Sequence, residues 1–134
     1  MASGRWSVTR ETIVALRHYR ELLVWQKSMD FAEAVYVLTR KFPREELFGL
    51  TSQLRRAVIS IPSNIAEGQG RGGSKEFIQF LNISNGSLQE AETQLLLSER
   101  FRYVTTDEVD RVMEASAEIG RLNYGLIRSL RGRK

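Results

Sequence analysis

The sequence has no cysteine, so it carries no disulfide framework and no thiol chemistry. It has one histidine, His18, which excludes the paired Glu-x-x-His motifs of a di-metal helical bundle. The same scarcity leaves no Ser/His/Asp or Cys/His constellation within the main body of the chain. No run reaches the roughly 18 apolar residues of a membrane span. The opening stretch "MASGRWSVTRETIVALRHYR" has arginines but no apolar core of a secretory signal. The chain is therefore expected to be cytoplasmic, with no membrane partner, no metal and no cofactor. Prolines are only two, Pro43 and Pro62, and so few breakers favour an all-helical chain.

What remains is the balance of a soluble globular protein: 134 residues, 42% hydrophobic and 27% charged, enough for one domain. Residues 1–18 have weak periodicity and are read as a weakly ordered extension, with at most a helical turn near Ile13 to Leu16. The bundle proper is read as residues 19–131.

The first strong helix is expected from Tyr19 to Lys41. Val24, Phe31, Val35, Leu38 and Phe42 form one apolar stripe, and Leu22, Trp25, Met29, Ala32 and Tyr36 a second. A helix with two apolar stripes must hide more than one face, one against its own core and one against another subunit. Phe42-Pro43 ends it, because the residue before proline is pushed out of the helical region. A second helix is expected from Arg44 or Glu45, with acids in its first turn.

The segment "ISIPSNIAEGQGRGG" decides between a phosphate-cradling loop and a helix that tolerates proline. Leu47, Leu50, Leu54, Val58, Ile61 and Ile65 are spaced 3, 4, 4, 3 and 4 residues apart, so the stripe passes Pro62 in phase. Pro62 removes the hydrogen bond to the Val58 carbonyl, so a bent helix is expected there, with Ser60 and Ser63 compensating. Gly68 is read as the helix stop and Ser74 as the next N-cap. The run Gly68 to Gly73 followed by Ser74-Lys75 reverses the order of a nucleotide-binding P-loop, and a helix precedes it where a strand is required. A weaker possibility stays open: amides at the start of the third helix, with Arg71 and Lys75, binding a backbone phosphate.

The third helix is expected from Ser74 to Arg100, with a Phe77, Leu81, Leu88, Leu95 ladder flanked by Ile78, Ala91 and Leu96. Small residues at its middle, Ser84 to Ser87, would let another backbone come close. Thr105 and Glu108 fit a capping box that opens the last helix, Thr106 to Leu130. Its stripe is Val109, Val112, Met113, Ser116, Ile119, Asn123, Leu126, Ile127 and Leu130. Four helices with short connections predict an all-α, antiparallel up-down-up-down four-helix bundle, its second helix kinked at Pro62.

Gln53, Arg56, Ser60, Asn64, Glu67 and Arg71 make a polar stripe spaced 3, 4, 4, 3 and 4. It either faces water or packs against another helix, from the same subunit or a neighbour, and fixes register. Arg55 and Ile59 lie on another face, where an exposed isoleucine would mark a contact surface.

Net charge is +4, unevenly spread. Residues 121–134 carry Arg121, Arg128, Arg131, Arg133 and Lys134 with no acid among them. Residues 40–75 hold seven basic side chains against Glu45, Glu46 and Glu67. Such clusters are either solvated surface or an electrostatic footprint for nucleic acid.

The stretches "YRELLVWQKSMDFAEAVYVLTRKFP", "FGLTSQLRRAVISIPSNIAEGQGRGGSKEF" and "ISNGSLQEAETQLLL" resemble the four-helix-bundle proteins encoded by intervening sequences of bacterial 23S ribosomal RNA genes. The resemblance spans about Tyr19 to Leu130. It also extends, distantly, to the accessory proteins of diversity-generating retroelements, which are basic pentameric bundles that partner a reverse transcriptase and bind nucleic acid. It implies an antiparallel bundle, commonly a homopentamer, without established catalytic residues. Its hallmark positions fall here on Arg56, Ser60, Pro62, Asn64, Glu67, Gly68, Arg71, Ser87 and Glu92.

The expectation is a non-enzymatic, oligomeric bundle that binds structured RNA or DNA through Arg55, Arg71, Lys75, Arg128, Arg131 and Arg133. Gln53, Arg56, Ser60, Asn64 and Glu67 would form the polar network or oligomer contact. The rivals are a protein–protein scaffold and, with least support, a Mg²⁺-dependent nuclease using carboxylates such as Glu67, Glu90 or Glu92.

Overall fold

Apolar residues recurring every three or four positions drive four helices together. In a computed structural model, which describes residues 18–132, these are α1 (Leu23–Thr39), α2 (Leu50–Gln69), α3 (Ser74–Arg100) and α4 (Thr106–Arg131). Short 3₁₀ turns at Tyr19–Glu21 and Arg44–Glu46 precede α1 and α2, and no strand occurs among the described residues. The expected extension, apart from His18, lies outside the described residues.

Each helix packs on its chain neighbours, and α1 closes the ring against α4. Cross-helix bonds give the directions. Between α2 and α3, Ser60 meets Ser87 at 2.8 Å and Gln53 meets Gln94 at 3.4 Å. Between α3 and α4, Asn123 donates to Asn85 at 3.0 Å, while Ser116 donates to Glu92. In both pairs the numbering rises in one helix as it falls in the other, the order of antiparallel neighbours. The arrangement is compatible with an up-down-up-down bundle.

The core is built from the expected stripes. Val24, Phe31, Val35, Leu38 and Phe42 are buried, as are Leu54, Val58, Ile61 and Ile65 of α2. Leu81, Leu88, Ala91 and Leu95 come from α3, and Val109, Val112, Ile119, Ile127 and Leu130 from α4. Burial of one such aliphatic side chain stabilises the fold by about 1.5–3 kcal/mol. Helix α2 continues through Pro62 without interruption, and Pro62 is itself buried. Ser63 donates to the Ile59 carbonyl at 2.8 Å, one residue beyond the carbonyl that proline leaves free.

Local expectations are corrected at four places. Helix α1 starts at Leu23 rather than Tyr19, because Leu22 is extended (φ −73°, ψ 124°). Helix α2 starts at Leu50 rather than Arg44, because the Glu46 carboxylate reaches forward and accepts from the Leu50 N–H at 3.0 Å. Leu47 therefore falls outside the helix and is exposed. Gly68 is not the helix stop: it is buried inside α2, where an added Cβ would lie 2.6 Å from Cβ of Phe80. The chain reverses instead at Gly72 (φ 85°), so the N-cap of α3 falls on Gly73, and Ser74 is already in the first turn. The Thr105–Glu108 capping box forms in full at the start of α4.

Candidate nucleic-acid interface

The antiparallel order brings the end of α2, the start of α3 and the end of α4 to one end of the bundle. Asn123 of α4 donates to the Leu81 carbonyl at 3.2 Å. Arg128 and Arg131, one to two turns further along α4, thus lie level with the first turns of α3. Arg71, Lys75, Arg128 and Arg131 are all exposed there. After Glu118 no acid follows in the sequence, so the final turns of α4 are purely basic. Cations in a last helical turn also complement the helix dipole. Arg133 lies outside the described residues.

The members of this group are held differently. Arg71 pairs with Glu67 one turn earlier at 2.9 Å, and its guanidinium lies 5.0 Å over the Phe80 ring. Both partners are about half exposed, so the ion pair adds little stability and leaves the guanidinium accessible. Lys75, Arg128 and Arg131 have no ion pair among the described residues. Arg128 and Arg121 border a groove of about 580 Å³ between α3 and α4, whose walls include Asn85, Gln89, Glu92 and Tyr124. Within it the Ser116 hydroxyl donates to the Glu92 carboxylate. Asn123, fully buried, spends its amide N–H groups on Leu81 and Asn85, and its own carbonyl oxygen has no hydrogen-bond partner among the described residues.

Arg55 stands apart. It is half-buried, donates to the Thr39 hydroxyl at 2.9 Å, and stacks 4.6 Å over the Tyr36 ring. These contacts pin α2 to α1 and place Arg55 away from the basic end.

The polar stripe of α2 turns mainly toward α3. Asn64 donates to the Ser60 carbonyl at 2.8 Å and to its hydroxyl at 2.9 Å, and Ser60 bonds Ser87. Gln53 accepts from the buried Gln94. Arg56, exposed, forms no ion pair among the described residues and lines a groove with Phe48, Ser60, Ser87 and Glu90. The stripe is thus a seam within one chain at Gln53, Ser60 and Asn64.

At the opposite end the titrations are structural. Hydrogen bonds from Lys41 and from the Thr105 N–H hold the Glu108 carboxyl down at about 2. Glu46 is lowered by the Leu50 N–H and then by the Tyr103 hydroxyl, which donates at 2.8 Å; that same bond raises Tyr103.

Comparison with known proteins fits this helical frame. The family model described as "23S rRNA-intervening sequence protein" matches residues 20–125. The chain belongs to that family. It is also similar to a crystal structure from Bacteroides thetaiotaomicron, described as a protein of unknown function from the S23 ribosomal protein family. The TM-score is 0.72 with 29% identity, over 79% of this chain and 96% of that one. Among curated proteins none matches. No described helix is long and apolar enough to cross a membrane.

In this intervening-sequence protein two features escaped the sequence. His18, read as outside the bundle, contacts the Gln69 side chain at the end of α2. Tyr124 is 65% exposed on α4 between Arg121 and Arg128, three residues before and four after. Its phase gives the signal: it falls one residue past the buried Asn123, on the solvent side of the stripe.

Proposed function

We propose that this intervening-sequence protein is a non-enzymatic, oligomeric bundle that binds RNA or DNA through its basic end. The observation that supports this reading most is the gathering of Arg71, Lys75, Arg128 and Arg131 at one end, with Arg121 further back along the same helix and no acid after Glu118. Guanidinium and ammonium groups there neutralise phosphates and release counterions, so binding is backbone-driven and salt-sensitive. Tyr124, flanked by two arginines, offers a ring face on which an unpaired base stacks. Arg55 is withdrawn from the contact set by its bonds to Thr39 and Tyr36. Each copy offers few contacts, and an assembly of copies multiplies them.

The test is a filter-binding titration with ribosomal RNA fragments and single-stranded DNA across a salt series. Expected is binding at about 50 mM salt that weakens linearly in log–log form as salt rises. Absence of binding at that salt removes the proposal.

A protein scaffold is the second reading, favoured by the open apolar groove between α1 and α2 that Trp25, Met29, Tyr36 and Ile59 line. Capture of one defined protein partner, unaffected by nuclease, would support it.

A further inference from the structure

Phe48 is 93% exposed, on the short link between the Arg44–Glu46 turn and α2, with Leu47 half exposed beside it. A phenyl ring so placed makes almost none of the apolar contact its size permits. The described residues also leave an open apolar surface of fitting character. Between α1 and the second half of α2 lies an open groove of about 570 Å³, walled by Trp25, Met29, Tyr36, Ile59, Pro62 and Ala66. Met29 and Ile59 are 46% and 47% exposed within it.

Phe48 cannot fill its own chain's groove. Ile59 stands eleven residues further along, roughly 16 Å at the helical rise. Phe48 also borders the α2–α3 side, whereas the groove opens between α1 and α2. The charges are complementary: Arg56 lies beside Phe48 and Glu33 borders the groove. Neither forms an ion pair among the described residues.

We propose that Phe48 of one copy of this chain seats in the α1–α2 groove of a second copy, with Arg56 meeting Glu33. Projection and groove are different patches, so the contact is head-to-tail rather than self-complementary. The proposal deepens the oligomeric part of the function proposed above and rests on it. It names the residue that each copy lends to the next.

Light scattering on a sizing column tests it, using the full chain as wild type, Phe48→Asp and Ile59→Asp. Phe48 makes so little contact within its own chain that its replacement leaves the fold, read by far-ultraviolet dichroism, unchanged. Met29→Asp, on α1, is a second groove variant should Ile59→Asp not fold. The expected result is an oligomeric wild type and monomeric single variants. A mixture of Phe48→Asp with a groove variant then yields a one-to-one complex, because one retains the groove and the other the projection. If wild type is oligomeric and Phe48→Asp keeps the same mass, the seating is wrong while the oligomeric reading stands. That outcome also follows if another protein or the chain's own residues 1–17 cover the groove. Monomeric variants that do not pair on mixing overturn the head-to-tail contact. A monomeric wild type at all concentrations overturns the oligomeric reading as well.

Discussion

Gly68 sits in tight contact between α2 and α3, facing Cβ of Phe80. An alanine there would place its Cβ 2.6 Å from that atom, which is fixed to the α3 backbone and cannot rotate away. Alanine gains up to about 1 kcal/mol of helix propensity over glycine, but less near a helix end. Overpacking of a tight seam costs about 1–3 kcal/mol. The clash wins, and Gly68→Ala is expected to lower stability by about 1–2 kcal/mol in denaturant unfolding. Glu108 is a second residue with a measurable signature. Lys41 and the Thr105 N–H hold its folded value at about 2, against an ordinary 4.5. A depressed carboxyl contributes stability that is present above its unfolded value and lost as pH falls through the folded one. Thermal melts of wild type should therefore weaken progressively from about pH 4.5 toward pH 2, and Glu108→Gln should flatten that part of the profile while starting lower at neutral pH. An unchanged acid slope in the variant would assign the sensitivity to other carboxyls, Glu46 first.

At the scale of elements, the end of α3 shows why some boundaries were legible and others were not. The Arg102 N–H bonds the Glu99 carbonyl at 2.9 Å and the Tyr103 N–H bonds Ser98 at 3.0 Å, the paired bonds of a Schellman cap. Arg102 occupies its left-handed position at φ 66°, where glycine is usual. A side chain costs about 1–2 kcal/mol there, so Arg102→Gly should raise the unfolding free energy by about 1 kcal/mol, set against glycine's larger unfolded-state entropy. Lacking a glycine, residues 101–104 carry no readable signal for the stop. At the start of α4 the cap is made by side chains, Thr105 and Glu108, and was readable directly. The apolar stripes were readable for the same reason: burial follows helical phase, even through Pro62. Gly68 misled because a helix stop and a close helix crossing both call for glycine. Arg55 shows the limit of periodicity, which places it on an outer face without revealing that Thr39 and Tyr36 wait beside it. Periodicity aligns the polar stripe of α2 but names no partner, and only Ser87 and Gln94, distant in sequence, identify α3 as what Ser60 and Gln53 meet.

For the whole molecule, net charge matters less than where it lies. The net charge of +4 is modest, and spread evenly it would attract nucleic acid weakly. The end that holds Arg71, Lys75, Arg128 and Arg131 against Glu67 and Glu76 keeps a basic excess, whereas the opposite end mixes Lys41, Arg100 and Arg102 with Glu99, Asp107 and Glu108. Lys41 is already bound to Glu108 there, and Thr106 bonds Glu99 at 2.8 Å. The two ends therefore make a controlled comparison within one fold. Replacing Lys75 and Arg128 with alanine removes two exposed cations that no described ion pair uses, so stability should change little. If both touch phosphate, the slope of log affinity against log salt should fall by about two. Replacing Arg100 and Arg102 with alanine removes the same formal charge from the mixed end and should leave the slope nearly unchanged. Tyr124→Ala should weaken single-stranded ligands more than duplex ones, since only an unpaired base presents a free face for stacking. Equal losses from both double replacements would mean that total charge governs the attraction, and the basic end would then have no special part in binding.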